Sequence, residues 1–355
     1  MPSIAAGAID CDVHPTVPGT AVLLPFLDPY WSEQVITRGI DDLTLTFSMP
    51  NSPFAARSDW RPATGKPAGT LDLVRDQLLD PFDLRFAIFN CLWGAQAVHS
   101  EDFAVALCRA VNTWIAREWL DRDDRLRSSI MIPAQSPARA AEEIEHWAAD
   151  KRFVQVLMLA GGDVPLGRRQ MWPIYKAAER LGLPIGIHAG SSYRHAPTIL
   201  GWPSSVLEEY VGYAGLMQSQ LLSLLAEGVF TEFPELSVVL IEAGIGWLPS
   251  FLWRAEKGWR SLRAEVPWLQ RSPLDIVRQN IRLTAQPFDG PTSRADLDRL
   301  LNQIHSDEMF LFATDYPHWH FEGTMALPDH LPEGLAQKML VDNPLSTYRR
   351  LGRTQ

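Results

Sequence analysis

The sequence predicts an α/β protein, a (β/α)8 TIM barrel that forms one domain over residues 1–355. Short apolar runs recur eight times, helical patterns separate most of them, and polar residues stand at the ends of several runs. Continuous apolar runs of this kind are typical of parallel strands buried on both faces. Eight such strands alternating with helices favour a closed barrel over an open sheet.

The predicted strands are four to eight residues long and lack a clean polar alternation. In chain order they are Ala8–Val13, Arg85–Leu92, Ser129–Ile132, Val154–Leu159, Pro184–Ile187, Val238–Ile241, Ile281–Thr284 and Met309–Ala313.

Helical patterns lie between these runs. Asp102–Leu120 carries apolar residues at helical spacing. Pro137–Ala149 begins with a proline after Ser136, which is a suitable N-cap. Met171–Leu181 and Ser219–Glu227 each end before a glycine, as helices often do. The other predicted helices are Pro291–Ile304 and Leu335–Leu351.

A long stretch between the first two strands has no such pattern. Arg38–Gly69 is rich in proline, serine, glycine and threonine. Loops of this length are usually functional, and loops after barrel strands open on the active face. We therefore expect an inserted loop over residues 38–69 that serves as a lid or as a dimer arm.

Composition excludes several classes of protein. The net charge is −10, so the clustered basic surface of a nucleic-acid-binding protein is not expected. No run of 18 apolar residues predicts a membrane span, and the N-terminus lacks the basic start of a signal peptide. Cys11, Cys91 and Cys108 are too few and too scattered for a disulfide framework, which predicts a cytoplasmic protein.

Polar residues that can bind metal end four of the predicted strands. Asp12 and His14 are two apart in AIDCDVHP and so point to the same side of strand 1. His188 ends strand 5, Glu242 ends strand 6, and Asp315 ends strand 8. Each residue alone has an ordinary structural alternative, such as a helix cap or a satisfied buried polar group. Together they predict a site at the carboxyl ends of the strands.

Mixed imidazole and carboxylate ligands suit zinc, manganese or iron(II) better than calcium or magnesium. A catalytic metal site needs about three protein ligands and an open position. These residue types therefore indicate a divalent metal site that acts on a small-molecule substrate.

Residues near these strand ends are candidates for substrate contacts. Arg194 and His195 follow strand 5, and Arg194 is suited to hold a substrate carboxylate; an exposed loop charge is the alternative. His318 is expected to orient Asp315 or to touch substrate, and the rim residue Trp319 suits a flat or apolar substrate.

The motifs resemble the amidohydrolase-related branch of the metal-dependent amidohydrolase superfamily. This branch contains aminocarboxymuconate-semialdehyde decarboxylase and nonoxidative aromatic-acid decarboxylases. The similar segments span nearly the whole chain and are AIDCDVHP, DKRFVQVLML, LPIGIHAG, FPELSVVLIEAGIGWLPSFLWR, RLTAQP and LFATDYPHW.

The resemblance implies that Asp12, His14, His188 and Asp315 hold one divalent ion, with Zn2+ expected first and Mn2+ second. It implies that Asp315 also accepts a proton, and that the protein is a homodimer. Superfamily members with two metals use a carbamylated lysine at the end of strand 4, where this chain has VQVLMLAGG. A single metal ion follows.

Two positions depart from the branch. Its first motif is often His-x-His or Glu-x-His, whereas this chain has Asp12-x-His14. Its decarboxylases have a histidine where this chain has Glu242, which is either a base or a rim residue paired with Arg254. The leading hypothesis is therefore a metal-dependent hydrolase of a small carboxylate, ester, lactone or amide, with Asp315, Glu242 and His318 as catalytic residues.

Two alternatives remain. One is a nonoxidative decarboxylase of an aromatic or muconate-type acid, which the aromatic rim favours. The other is a barrel that binds a ligand without catalysis.

Overall fold

Eight parallel strands, hydrogen-bonded in sequence order, form the centre of the fold. The computed structural model describes residues 6–43, 45, 56–198, 200–319, 321 and 327–352. The strands are β1 (Ile9–Val13), β2 (Phe86–Phe89), β3 (Leu126–Met131), β4 (Phe153–Gly161), β5 (Ile185–Ser191), β6 (Val238–Ile241), β7 (Ile281–Thr284) and β8 (Phe310–Leu311). The predicted TIM barrel is confirmed.

Backbone hydrogen bonds join β1 to the segment that follows β8. Cys11 N–H donates to the Phe312 carbonyl at 3.0 Å, and Asp315 N–H donates to the Asp12 carbonyl at 3.0 Å. His14 N–H donates to the Tyr316 carbonyl at 2.8 Å. These bonds bring the first and last strand ends side by side, and they place Asp12 next to Asp315.

Helices cover the outside of the sheet. They are α1 (Pro29–Arg38), α2 (Leu71–Val74), α3 (Glu101–Ile115), α4 (Pro137–Trp147), α5 (Trp172–Leu181), α6 (Val206–Ala226), α7 (Val229–Glu232), α8 (Leu248–Leu262), α9 (Pro273–Asn280), α10 (Arg294–Ile304), α11 (Leu335–Gln337) and α12 (Asn343–Thr347). Among the described residues, no helix has the length and apolar character needed to cross a membrane.

The strand predictions agree closely with the structure, and β6 and β7 have the predicted bounds. The helix predictions missed the first half of α6 and the whole of α1, α2, α7, α8 and α9. The start of α6 was missed because it exposes apolar residues such as Leu207 and Val211, which blur the amphipathic pattern. The outer layer therefore contains more helices than the spacing of apolar residues in the sequence predicts.

The described part of the 38–69 segment packs against the end of β8. Ala56 pairs with His318 in an isolated antiparallel bridge, and Arg57 N–H donates to the Pro317 carbonyl at 2.9 Å. Trp60 is buried with its ring centroid 4.8 Å from that of Tyr316. Residues 44 and 46–55 lie outside the described residues, so the lid or dimer arm stays a prediction.

A chain of polar side chains crosses the barrel interior. Tyr348 donates its hydroxyl to Gln155 Oε1 at 3.0 Å, and Gln155 Nε2 donates to Ser129 Oγ at 2.8 Å. All three side chains are buried. Gly186 on β5 makes room for this chain, because a Cβ there would lie 2.5 Å from Gln155 Cδ.

We expect Gly186→Ala to lower the free energy of unfolding by roughly 1–3 kcal/mol, the usual cost of overpacking a core. Gly215→Ala is the matched control, since its Cβ would meet nothing within 4 Å and it lies inside helix α6. Denaturant unfolding measures both variants. If Gly186→Ala and the parent protein were equally stable, the position of Gln155 would not depend on the absence of a side chain at Gly186.

Candidate metal centre

The structure brings the four predicted metal ligands together. Asp12, His14, His188 and Asp315 each offer a ligand atom, and these atoms all lie within 4.8 Å of one another. All four side chains are buried at the carboxyl ends of the strands. Three sequence segments, with His14 and Asp315 separated by 301 residues, therefore form one site, as a barrel rim predicts.

The local backbone explains how the acidic residues reach this site. Asp12 and His14 lie on one side of β1 and its extension because strand side chains alternate. Asp315 and Glu242 follow β8 and β6 with φ values near +57°. Residues other than glycine seldom adopt this left-handed conformation, and it is frequent at functional sites. Asp315 thereby joins the ligand cluster, and the Glu242 carboxylate lies 3.8 Å from His188.

Both histidines are oriented by backbone carbonyls. His14 Nδ1 lies 2.8 Å from the Asn90 carbonyl, and His188 Nδ1 lies 2.5 Å from the Ala189 carbonyl. A carbonyl only accepts, so each Nδ1 carries the proton and donates it. Each Nε2 is thereby left for the centre of the site, the arrangement typical of metal-binding histidines.

The atoms that face one another in the centre suit a cation. His14 Nε2 lies 2.7 Å from Asp315 Oδ1, and His188 Nε2 lies 3.4 Å from Asp12 Oδ2. Among the described residues, buried Asp12 Oδ2 and His188 Nε2 have no hydrogen-bond partner. Buried polar atoms rarely lack partners, and a missing ion is one explanation. The residues present therefore fit one divalent ion with mixed nitrogen and oxygen ligands.

Electrostatic coupling shifts the pKa of these groups. Burial lowers the pKa of His14 and His188, but the Asp12 carboxylate outweighs it and raises both. Burial raises the pKa of Asp12, but the two imidazoles outweigh it and hold it below its ordinary value. Burial and the Asp315 charge raise the pKa of Glu242. The metal-free centre thus favours charged His–Asp pairs.

Beside the ligands is a cavity of about 220 Å3. Glu242, His318 and Trp319 line it, so three of the predicted residues face one space. The other lining residues are mostly apolar or aromatic and are Leu45, Leu92, Leu159, Ala189, Gly190, Ser191, Tyr193, Tyr210 and Tyr213. A pocket this small, below the ~300 Å3 of typical drug-sized sites, suits a single-ring ligand.

Two of these tyrosines share one buried carboxylate. Tyr193 and Tyr213 donate their hydroxyls to Glu209 Oε1 at 2.5 and 2.8 Å. Glu209 itself is only 7% exposed. These bonds fix the two rings as a wall of the cavity.

Glu242 and His318 contact the metal-site residues. Glu242 Oε2 lies 3.8 Å from His188 Nδ1, whereas Arg254, its suggested partner at the rim, is exposed on α8. His318 Nδ1 lies 2.6 Å from Asp315 Oδ1, and its ring stacks on that of His14 at 4.6 Å. His318 is therefore placed to orient Asp315.

Arg194 and His195 lie apart from this cavity's described lining. Arg194 Nη1 lies 2.8 Å from an Asp163 carboxylate oxygen, and its Nη2 lies 2.8 Å from His99 Nδ1. His195 has a 67% exposed side chain and also lies near Asp163. Their roles in substrate binding stay predictions.

Sequence reasoning missed Asn90, Tyr210 and Tyr213. Asn90 was detectable as a buried amide inside the apolar run Arg85–Leu92, because such groups need specific partners. The two tyrosines carried no comparable signal, since they lie on the unpredicted half of α6.

The chain is similar to known proteins in sequence. A family model described as amidohydrolase matches residues 9–350. The chain is 28% identical over 264 residues to a gamma-resorcylate decarboxylase of Rhodococcus jostii, covering 69% of this chain and 76% of that protein. It is 24% identical over 279 residues to the enzyme of the same name from Polaromonas, covering 76% and 83%.

A solved structure shares the fold at lower identity. A 5-carboxyvanillate decarboxylase from Novosphingobium aromaticivorans, complexed with manganese and 4-hydroxy-3-methoxy-5-nitrobenzoic acid, superposes with a TM-score of 0.71 at 18% identity. The alignment covers 98% of this chain and 97% of that one.

These comparisons correct the leading functional hypothesis. The hydrolase prediction is wrong, because the curated relatives are decarboxylases of an aromatic acid rather than hydrolases. The error came from giving Glu242 too much weight. The residue types of the four ligands do not by themselves distinguish hydrolysis from decarboxylation, and the single residue Glu242 does not do so either.

We expect His188→Ala to weaken Mn2+ binding by on the order of 100-fold or more. Loss of a residue that only supports a ligand already costs roughly 10–100-fold. Elemental analysis and the thermal shift on adding Mn2+ or Zn2+ measure the effect. His146→Ala, at an exposed histidine of α4, is the control. Undiminished metal content in His188→Ala would remove His188 from the site.

We expect metal affinity to rise with pH. The His14 and His188 pairs stabilise the metal-free fold fully below the ordinary histidine pKa of about 6.5, and this contribution is lost as the pH rises through their raised values. A metal ion needs neutral imidazoles, so its binding must release protons. Calorimetry in two buffers of different ionisation enthalpy measures that release. Equal heats in both buffers would contradict it.

Proposed function

The chain belongs to the amidohydrolase family, and from that premise we propose that it is a metal-dependent, nonoxidative decarboxylase of a small aromatic acid. The observation that carries the proposal is a four-ligand metal site whose neighbours Glu242 and His318 line a small pocket with aromatic walls. The names of the curated relatives support the same reaction class. These names favour an aromatic acid over a muconate-type acid.

The reaction replaces the carboxylate on a ring carbon with a proton. The proton bonds to that carbon, the bond between ring and carboxylate breaks, its electron pair returns to the ring, and carbon dioxide leaves. No oxidant and no water are consumed. A bound divalent cation would supply charge stabilisation for the oxygens at the carboxylate edge of the substrate.

Asp315 is the residue we assign to proton transfer. Its Oδ1 lies 2.7 Å from His14 Nε2 and 2.6 Å from His318 Nδ1, so two imidazoles hold the carboxyl group in place. His318 lines the cavity and its side chain is 23% exposed. It therefore connects buried Asp315 to solvent, from which the proton is replenished.

Glu242 and Trp319 are assigned to the substrate. Glu242 lines the cavity beside His188, where it faces the polar edge of a bound ring. Trp319 lines the same cavity and is half exposed, with its ring 6.2 Å from that of Tyr210. Such rings favour a flat ligand. Arg194 and His195 would reach only a substrate that extends beyond this cavity.

The metal, assembly and location remain at the level of proposals. Manganese is named for fold neighbours, so we propose Mn2+ beside the Zn2+ expected from sequence. A homodimer, a lid formed by residues 38–69 and a cytoplasmic location are retained as predictions. Size-exclusion chromatography with light scattering tests whether the protein is a homodimer.

We expect the Mn2+-loaded protein to release carbon dioxide from a hydroxylated benzoate in a panel that includes 2,6-dihydroxybenzoate and 5-carboxyvanillate. Asp315→Asn should lower kcat by roughly 10²- to 10⁴-fold, the usual contribution of a positioned acid or base. Metal content is measured in parallel, because Asp315 is also a ligand.

Asp298→Asn is the control, since Asp298 is a part-exposed carboxylate of α10 paired with Arg294. It should leave kcat unchanged. If the metal-loaded protein released no carbon dioxide from any member of the panel, the proposed function would be wrong.

A further inference from the structure

We propose that Asn90 is a positioning residue that sets both metal-binding side chains of β1 through two separate hydrogen bonds. The inference rests on the metal site of the proposed function. No catalytic step is assigned to Asn90 itself, because its contacts are with Asp12, His14 and the barrel interior rather than with the cavity.

The backbone of Asn90 is fixed against β1. Asn90 follows the last residue of β2, and its N–H donates to the Val13 carbonyl at 2.8 Å. Its own carbonyl accepts from His14 Nδ1 at 2.8 Å. The Asn90 peptide groups thus fix both the position of β1 and the tautomer of His14, which leaves Nε2 for the ion.

The side chain of Asn90 forms a hydrogen bond with the second metal ligand of this segment, Asp12. Its Nδ2 donates to Asp12 Oδ1 at 2.9 Å. This bond occupies one carboxylate oxygen of Asp12 and directs Oδ2, which has no hydrogen-bond partner in the described part of the chain, to the centre. One residue therefore determines which atom of each β1 ligand the cation meets.

The orientation of the amide is set by the network behind it. Asn90 Oδ1 accepts from Ser129 Oγ at 2.6 Å and from Gln155 Nε2 at 3.2 Å. Gln155 Oε1 in turn accepts from the Tyr348 hydroxyl, so Gln155 presents its amino group to Asn90. A flipped Asn90 amide would set its N–H2 against that amino group and its oxygen against the Asp12 carboxylate.

The amide donor of Asn90 requires a hydrogen-bond acceptor at position 12, and Asp12 provides one. A carboxylate accepts from the Asn90 amide and still keeps an oxygen for the metal. Asn90 is fully buried, so its donor would otherwise remain unsatisfied in an apolar interior. Asn90 and Asp12 therefore form a functional pair.

The test compares Mn2+ affinity in Asn90→Ala and Asn112→Ala by calorimetry. Asn112 is the matched control, because it is equally buried and its Nδ2 donates to the Met131 carbonyl at 2.8 Å, away from the metal site. We expect Asn90→Ala to bind Mn2+ roughly 10–100-fold more weakly. Asn112→Ala should lower the metal-free Tm without changing the Mn2+ Kd.

Two further measurements keep the test decisive. Asn90→Ser is used if Asn90→Ala does not fold, because its shorter side chain also leaves Asp12 without the amide donor. The visible absorption of the Co2+-loaded protein reports ligand geometry, and it should change in the Asn90 variants alone. Ser129→Ala removes only one donor to Asn90 and should weaken Mn2+ binding to a smaller extent.

The outcomes separate this inference from the proposed function. Parent-like Mn2+ affinity in the Asn90 variants, with a Tm loss like that of Asn112→Ala, would overturn the role of the Asn90 side chain, since these substitutions keep the backbone carbonyl that accepts from His14. A parent protein that binds Mn2+ tightly but releases no carbon dioxide would overturn the proposed function and leave Asn90 standing. A parent protein that binds no divalent ion would overturn both.

Discussion

The mutual attraction of two carboxylates and two imidazoles in a buried space is the interaction on which this site depends. Asp12 and Asp315 are fully buried, and a buried carboxylate is costly unless opposite charge and hydrogen bonds surround it. His14 lies between them, 3.3 Å from Asp12 and 2.7 Å from Asp315. The fold must therefore deliver both signs of charge to one point, and a metal ion adds the positive charge that the imidazoles provide only when protonated.

The barrel brings these groups together from three strands, with Asp12 and His14 on β1 and its extension, His188 on β5 and Asp315 after β8. Asp10 reinforces the arrangement, because its carboxylate accepts from the N–H of Asp12 and from the N–H of Thr314. Burial raises the pKa of Asp10 to about 7, against the opposing effect of these hydrogen bonds. The first and last strands are thus joined by side chains as well as by backbone. These bonds fix the positions of Asp12 and Asp315 relative to each other.

The sequence contained the scaffold and the ligands but not the pocket. The strands were predictable because apolar runs buried on both faces have few alternatives, and Asp12, His14, His188 and Asp315 were predictable because polar residues end those runs abruptly. The pocket was not, because Leu45, Tyr193 and Tyr210 come from loops and from the start of α6, where no periodicity fixes their direction. Arg194 illustrates the same limit: its ion pair with Asp163 depends on how two loops meet.

Tyr348, near the end of the described chain, has a consequence for how the centre is assembled. Its hydroxyl donates to Gln155 at the end of the barrel opposite the metal site, which we call the floor. Gln155 donates to Asn90, and Asn90 donates to Asp12. A ligand contributed by the first strand is therefore held in part by a segment that follows the eighth strand in the chain. An incomplete barrel would lack both Asp315 and this floor contact, so the metal centre reaches its final form only when synthesis and closure of the whole domain are complete.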